Sequence, residues 1–405
     1  MRLALSILML GAALSLAAMQ ARAQTPPRAQ QDPQTKAAPQ PAQTPAAPQQ
    51  GAAPQAPAEP KPEPKLALDS RALPLGGTLR APALWQAYKS HFITNEGRVV
   101  DTGNNDISHS EGQGYAMLLA VAANDRTMFE RLWGWTRANL MVRDDELIAW
   151  RWEPRKRPGV ADLNNASDGD ILVAWALAEA AELWGDLSYR TAARRIAVEV
   201  ARKVVLFKTK IGAILLPAVS GFHADDRADG PIVNLSYYVF PAFARLPLVA
   251  PEVDWVGLTQ TGLDLLDMTR TTPQALPPDW MSLKDWKYAP AQGFPPQFSY
   301  NAVRVPLYLA WAGIGEREQY APFMALVVRT RGALSIVDVA TGKDIGSFGE
   351  TGIGAIGALT ACAFEGSKAP PQLLASHSDE NYYPATLHML ALVAMQMRYP
   401  SCLRK

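Results

Sequence analysis

Four stretches of about a dozen residues are apolar on nearly every helical face: GYAMLLAVAAN (114–124), ILVAWALAEAAELW (171–184), VRVPLYLAWAG (303–313) and TLHMLALVAMQM (386–397). A helix that is apolar all round has to be buried all round. Between them run charged stretches with apolar positions at three and four spacing, DRTMFERLWGWTRANL (125–140), SYRTAARRIAVEVARKVV (188–205) and GEREQYAPFMALVVRTR (315–331), each with one wet face. Buried and half-buried helices alternating in this way predict an inner ring wrapped by an outer one, an all-α chain closed into an α/α barrel. An irregular bundle or an α-solenoid is the alternative, and no repeat of fixed length is visible to favour the solenoid. Strand-like sequence is sparse; GALSIVDVATG (332–342) is the best candidate for a short hairpin.

The chain has 405 residues, not all of which read as folded. Residues 1–23 carry Arg2, an apolar run from Leu3 to Met19 and a small-x-small exit at Ala23, the pattern of a cleaved secretory signal; after cleavage no other segment is long enough to span a membrane. Residues 24–66 are Pro, Gln and Ala with scattered charge and cannot bury enough apolar surface to offset their ordering entropy, so they are expected to form a disordered spacer. Residues 67–405 are expected to form one large helical domain. A net charge of +1 gives no electrostatic case for nucleic acid, and a neutral partner suits it better. Cys362 and Cys402 are too few for a disulfide scaffold or a thiolate metal site; whether they pair is open.

In a barrel of this kind the tips of the inner helices converge on one cavity. DISHSEGQGYAMLLAV puts Glu111 in the first turn of one such helix, with Ser110 as its expected N-cap and Gly112 and Gly114 leaving room beside it. NNASDGDILVAW repeats the arrangement with Asp168 and Asp170, of which one is expected to be structural. Acids also suit helix N-termini for dipole reasons alone. Two similar tips, with aromatic residues in the polar segments nearby, point instead to glycosidic bond cleavage, where one acid protonates the leaving oxygen and a second group activates water or attacks the sugar. The candidate sugar-stacking rings are Trp150, Trp152, Tyr237, Tyr238, Trp280, Trp286 and Tyr300.

The segments SEGQGYAML and ASDGDILVAWALAEAAELW resemble the two signature stretches of glycoside hydrolase family 8, and the similarity runs from about Leu84 to YYPATLHMLALVAMQMRYP near the C-terminus. The resemblance is strongest to the periplasmic endoglucanases that accompany bacterial cellulose synthesis. It implies an (α/α)6 barrel, hydrolysis of internal β-1,4-glucan bonds with inversion, and no cofactor or metal. It makes Glu111 the general acid and Asp168 the second catalytic position, leaves Asp170 as a structural partner, and puts Tyr300 and Arg304 in the same subsite. Together with the rings above, the substrate-binding residues expected are Tyr115, Trp150, Trp152, Asp170, Tyr237, Trp280, Tyr300, Asn301 and Arg304. It further implies a secreted, periplasmic location and the cellulose synthase export machinery as a partner, trimming nascent glucan.

One departure bears on mechanism. The family's SY-x-A-x-R segment usually carries Asp in the middle, where FSYNAVR has Asn301, and a carboxamide cannot take a proton. Another carboxylate then supplies the base (Asp106, Asp279, Asp285 or Glu350), or Asp168 activates the water, or the protein binds glucan without cutting it efficiently. A xylanase or chitosanase of the same family is a further alternative. His91, His109, His223, His377 and His388 show no metal spacing, and the glycine-rich GETGIGAIGAL is expected to serve packing.

Overall fold

The computed structural model describes residues 71–332, 334–374 and 380–404, all within one unit, Pro62–Lys405. The expected signal (1–23) and spacer (24–66) lie outside the described residues. Eleven α-helices occur among those described: α1 (Pro82–Phe92), α2 (Ser110–Ala122), α3 (Arg126–Asn139), α4 (Ser167–Trp184), α5 (Leu187–Val204), α6 (Phe240–Arg245), α7 (Trp255–Met268), α8 (Arg304–Ala312), α9 (Arg317–Arg329), α10 (Thr351–Glu365) and α11 (Tyr382–Arg398).

The four stretches apolar on every face are α2, α4, α8 and α11, and almost every residue in them is buried. With α6 and α10 they form the six-helix inner layer: α2 packs on α4, α4 on α6, α6 on α8, α8 on α10, α10 on α11, and α11 returns to α2. The amphipathic stretches are α3, α5 and α9, which lay their apolar stripes on the outside of that ring. The arrangement is the expected (α/α)6 barrel. The glycine-rich segment is α10, a packing helix as anticipated: a Cβ on Gly352 would stand 2.2 Å from the Pro384 carbonyl oxygen.

The strand content exceeds expectation. The anticipated stretch supplies one strand of a hairpin, Ser335–Asp338, and its turn, but the second strand, Lys343–Ser347, lies wholly beyond it, and Gln297–Phe298 adds a third strand. Several further strands are two residues long, too short to leave an alternating pattern in sequence. One of them, Ser108–His109, pairs antiparallel with Arg151–Trp152 and fixes the entry to α2.

Cys362 on α10 and Cys402 near the C-terminus form a disulfide that closes a 40-residue separation. By loop-closure entropy such a crosslink contributes on the order of 4 kcal/mol.

The end of the barrel that carries Glu111 and Asp168 depends on two close approaches between α2 and α4. A Cβ at Gly114 would lie 2.6 Å from the Leu172 Cβ, and one at Gly169 only 2.1 Å from the Ser110 Oγ. Both positions need glycine because only its missing side chain lets the two helix tips, and the acids they carry, stand side by side.

Candidate active site

At the start of α2 the N-cap is His109 rather than the expected Ser110. Its Nδ1 accepts the Gly112 N–H at 3.0 Å, and its Nε2 faces Asp101 Oδ2 at 3.3 Å, which fixes the ring. An imidazole acceptor does the job usually given to a hydroxyl, and the Ser110 Oγ is left buried without a partner. At the start of α4 no side chain caps; Ser167 donates to the Leu216 carbonyl at 2.8 Å instead. These anchors set Glu111 and Asp168 at adjacent tips.

Arg304, the first residue of α8, joins the tips. Its Nη1 lies 2.8 Å from Glu111 Oε2, 3.2 Å from Asp168 Oδ2 and 3.3 Å from the Tyr115 hydroxyl, while Nη2 donates to Ser236 Oγ at 2.8 Å and Asn301 Oδ1 at 3.0 Å. The guanidinium is 2% exposed and its carbon sits 5.8 Å from the centre of the Tyr237 ring. A buried charge of this kind is tolerated because its donors are bonded and two carboxylates answer it.

Burial, and then the neighbouring Glu111 carboxylate, push the Asp168 pKa up, with Arg304 opposing. Two carboxyls held this closely cannot both ionise cheaply, so the pair retains a proton toward neutral pH. Glu111 Oε1 is buried and makes no hydrogen bond to the protein. The pair shares one guanidinium nitrogen at 2.8 and 3.2 Å, which caps the separation of those two oxygens at about 6 Å. Acid and base of an inverting glycosidase stand roughly 6.5–9.5 Å apart to admit a water.

Beside this centre lies a cavity of about 280 Å³ lined by Trp150, Asp162, Asn164, Phe222, Tyr237 and Trp280 among others. Trp280 stacks on Phe294 at 4.7 Å and on Phe222 at 5.5 Å, and Tyr237 meets it edge-on at 6.1 Å. Apolar ring faces bordered by amide and carboxylate groups suit the mixed surface of a sugar, whose C–H face stacks while its hydroxyls bond.

The sequence profile of glycosyl hydrolases family 8 matches residues 76–397. The chain belongs to that family. Among relatives it is 40% identical over 233 residues to an endoglucanase of Cellulomonas uda, covering 57% of this chain and 64% of that one, and 38% identical over 230 residues to a probable endoglucanase of Novacetimonas hansenii, covering 56% and 66%. It thus spans just under two thirds of those relatives. The crystal structure of a Klebsiella pneumoniae endoglucanase, described as a family 8 glycosyl hydrolase, superposes with a TM-score of 0.70 at 35% identity, covering 78% of this chain and 99% of that one.

Within this family 8 barrel the expected binding residues divide. Trp150, Tyr237 and Trp280 line the aromatic cavity, and Asn301 and Arg304 meet at the carboxylate centre. Tyr300 stands at the rim, 42% exposed and edge-on to Phe348 at 5.1 Å. Three others do not face a ligand. Tyr115 is fully buried and spends its hydroxyl on Tyr308 and Arg304, supporting the guanidinium rather than a sugar. Trp152 packs on Trp135 at 5.6 Å and under Arg98 at 5.2 Å and does not line the cavity. Asp170 has no exposure and both its oxygens are used, by the Ile148 N–H and the Asn165 side chain, each at 2.8 Å. It ties the segment at Ile148 to the tip of α4.

Sequence reasoning missed Tyr383, whose hydroxyl reaches the Tyr300 carbonyl at 2.5 Å and which feels the charges of Arg304 and Glu111, and also Asn234, Ser236 and Phe222. Their partners are many residues away along the chain, and no local spacing announces them.

Burial raises the Asp170 pKa to about 7. An unfolded aspartate titrates near 3.9, so the folded state holds this proton longer; the associated stability is complete below that value and is lost as pH rises through 7. Asp168 acts in the same direction. Thermal unfolding followed by circular dichroism is expected to give a lower Tm at pH 8 than at pH 5. Asp170→Asn should flatten that difference and cost about 1–3 kcal/mol at pH 5, since its amide would face the Asn165 amide donor. An unchanged pH slope in the variant would remove Asp170 as a source.

Proposed function

We propose that the protein is an endo-acting β-1,4-glucanase that hydrolyses internal bonds of cellulose with inversion, Glu111 delivering a proton to the leaving oxygen. The observation that carries this reading is the meeting of Glu111, Asp168 and Arg304 at adjacent helix tips, next to an aromatic cavity of sugar-binding character. The endoglucanase names of the relatives support the substrate class. In this reading Asp168 holds Arg304 beside Glu111 rather than attacking the sugar, because it is buried and its oxygens are taken by Arg304 and the Gly169 N–H.

The reading places the protein outside the cytoplasm, in the periplasm, trimming glucan beside the cellulose export machinery. The Cys362–Cys402 disulfide supports an oxidising compartment, as does the signal-like composition of residues 1–23. A second reading, a glucan-binding protein without turnover, is favoured by one observation: Asn301 stands beside the catalytic centre as a carboxamide.

Viscometry of carboxymethylcellulose separates them. An endo-acting enzyme is expected to cut viscosity steeply while few reducing ends appear, with far slower action on xylan or chitosan. Tight cellohexaose binding without any new reducing ends would instead establish the binding protein.

A further inference from the structure

With Glu111 as acid, the attacking water still needs a group to take its proton. Asp168 is 1% exposed and both its oxygens are engaged, Oδ2 by Arg304 and Oδ1 by the Gly169 N–H at 2.8 Å. Asn301 is equally committed: its carbonyl oxygen accepts from Arg304 Nη2 at 3.0 Å and from Asn234 Nδ2 at 3.1 Å, which uses both lone pairs, and its amide nitrogen is no base.

Asp279 is differently placed. Its Oδ1 accepts three backbone N–H groups, from Ser299 at 3.0 Å, Asn301 at 3.2 Å and Ala302 at 2.8 Å, so the carboxylate is stapled into the turn that presents Asn301 and Arg304. Its Oδ2 takes none of these three backbone bonds, the Asn301 side chain adds a further hydrogen bond to the carboxylate, and unlike Asp168 the residue is partly exposed. It shares the field of the centre: Arg304 and the Asn301 side chain both lower its pKa against the dominant effect of burial, and Tyr383 feels Asp279 together with Arg304 and Glu111. The next residue, Trp280, contributes its ring to the aromatic cavity, so a sugar stacked there lies beside this carboxylate.

We propose that Asp279 is the general base, its Oδ2 taking the proton from the water that attacks the anomeric carbon. The proposal rests on the glucanase reading above. As the water oxygen bonds to that carbon, the glycosidic C–O bond breaks, the leaving oxygen takes the Glu111 proton, and the water's proton passes to Asp279. Asn301, held by Arg304 and Asn234, serves as a positioning residue that keeps the Asp279 turn against the centre.

Asp279→Asn is the test, because a carboxamide oxygen still receives the three backbone N–H groups but cannot take a proton. Its kcat on cellohexaose is expected to fall about 100-fold, with cellohexaose affinity and the circular dichroism spectrum unchanged. In Asp279→Ala, azide, an anionic nucleophile with no proton to lose, is expected to restore turnover and give an α-glycosyl azide. A kcat above about a tenth of the original in Asp279→Asn, or an Asp279→Ala variant that binds cellohexaose without azide rescue, overturns the assignment. An inactive unmodified protein would bring down the glucanase reading and the base together; an active one with an active Asp279→Asn variant would bring down the base alone.

Discussion

Replacing Glu111 by Gln is expected to lower kcat/KM on unactivated cello-oligosaccharides about a thousandfold, within the usual range for loss of a general acid. Gln preserves the size of the side chain and leaves an oxygen for Arg304 Nη1, so folding and glucan affinity should persist. What disappears is the transferable proton. A dinitrophenyl glycoside departs without protonation, and on that substrate the deficit should shrink to about tenfold or less. An equal loss on both substrates would show that Glu111 binds or organises instead of protonating. The same variant removes the Glu111 charge that helps hold the Asp168 pKa up, so Asp168 should ionise more readily in it, visible as a lower-lying titration in the carboxyl stretch of an infrared difference spectrum.

Glu179→Ala should be the most damaging single change to stability, costing about 3–5 kcal/mol in denaturant unfolding. Glu179 is 1% exposed in the middle of α4 and accepts from Arg245 Nε at 2.5 Å, the Trp175 indole at 3.0 Å and the Leu75 N–H at 2.9 Å. Removing it strands a largely buried guanidinium with only the half-exposed Glu182 as counter-charge, and leaves two buried N–H donors unanswered. Glu179→Gln, which still accepts but carries no charge, should lose roughly half as much. A loss below about 1 kcal/mol for the Ala variant would mean that water replaces the carboxylate and that this ion pair holds nothing together.

The layering of the barrel was legible because a dozen consecutive apolar residues leave a helix no solvent face, as α2, α4, α8 and α11 demonstrate. The tips were legible too: acids beside glycines, at Glu111–Gly112 and Asp168–Gly169, mark places where one element's backbone crowds against another's side chains. Side-chain destination was harder to read. Asp168 and Asp170 differ by two residues on one helix, which rotates the second away from the cleft toward Ile148 and Asn165. Tyr115 has the composition of a platform, yet only the distant Tyr308 and Arg304 show that its hydroxyl faces inward. The Ser236–Arg304 contact joins residues 68 apart, a closure that barrel geometry makes and sequence spacing does not display.

The ion pair at Glu179 also fixes a direction. Glu179 lies eleven residues along α4 from Asp168, roughly 16 Å down the helix axis, and it is there that Leu75 is clasped, with the Ala72 carbonyl on Arg245 and the Arg71 carbonyl on Arg398. The polypeptide therefore enters the barrel from its floor, on the side away from the reacting carboxylates. The stretch from Arg71 to Leu75 is thus fastened at the far end of α4 from Asp168, and it leaves the end of the barrel that carries Glu111 and Asp168 unobstructed.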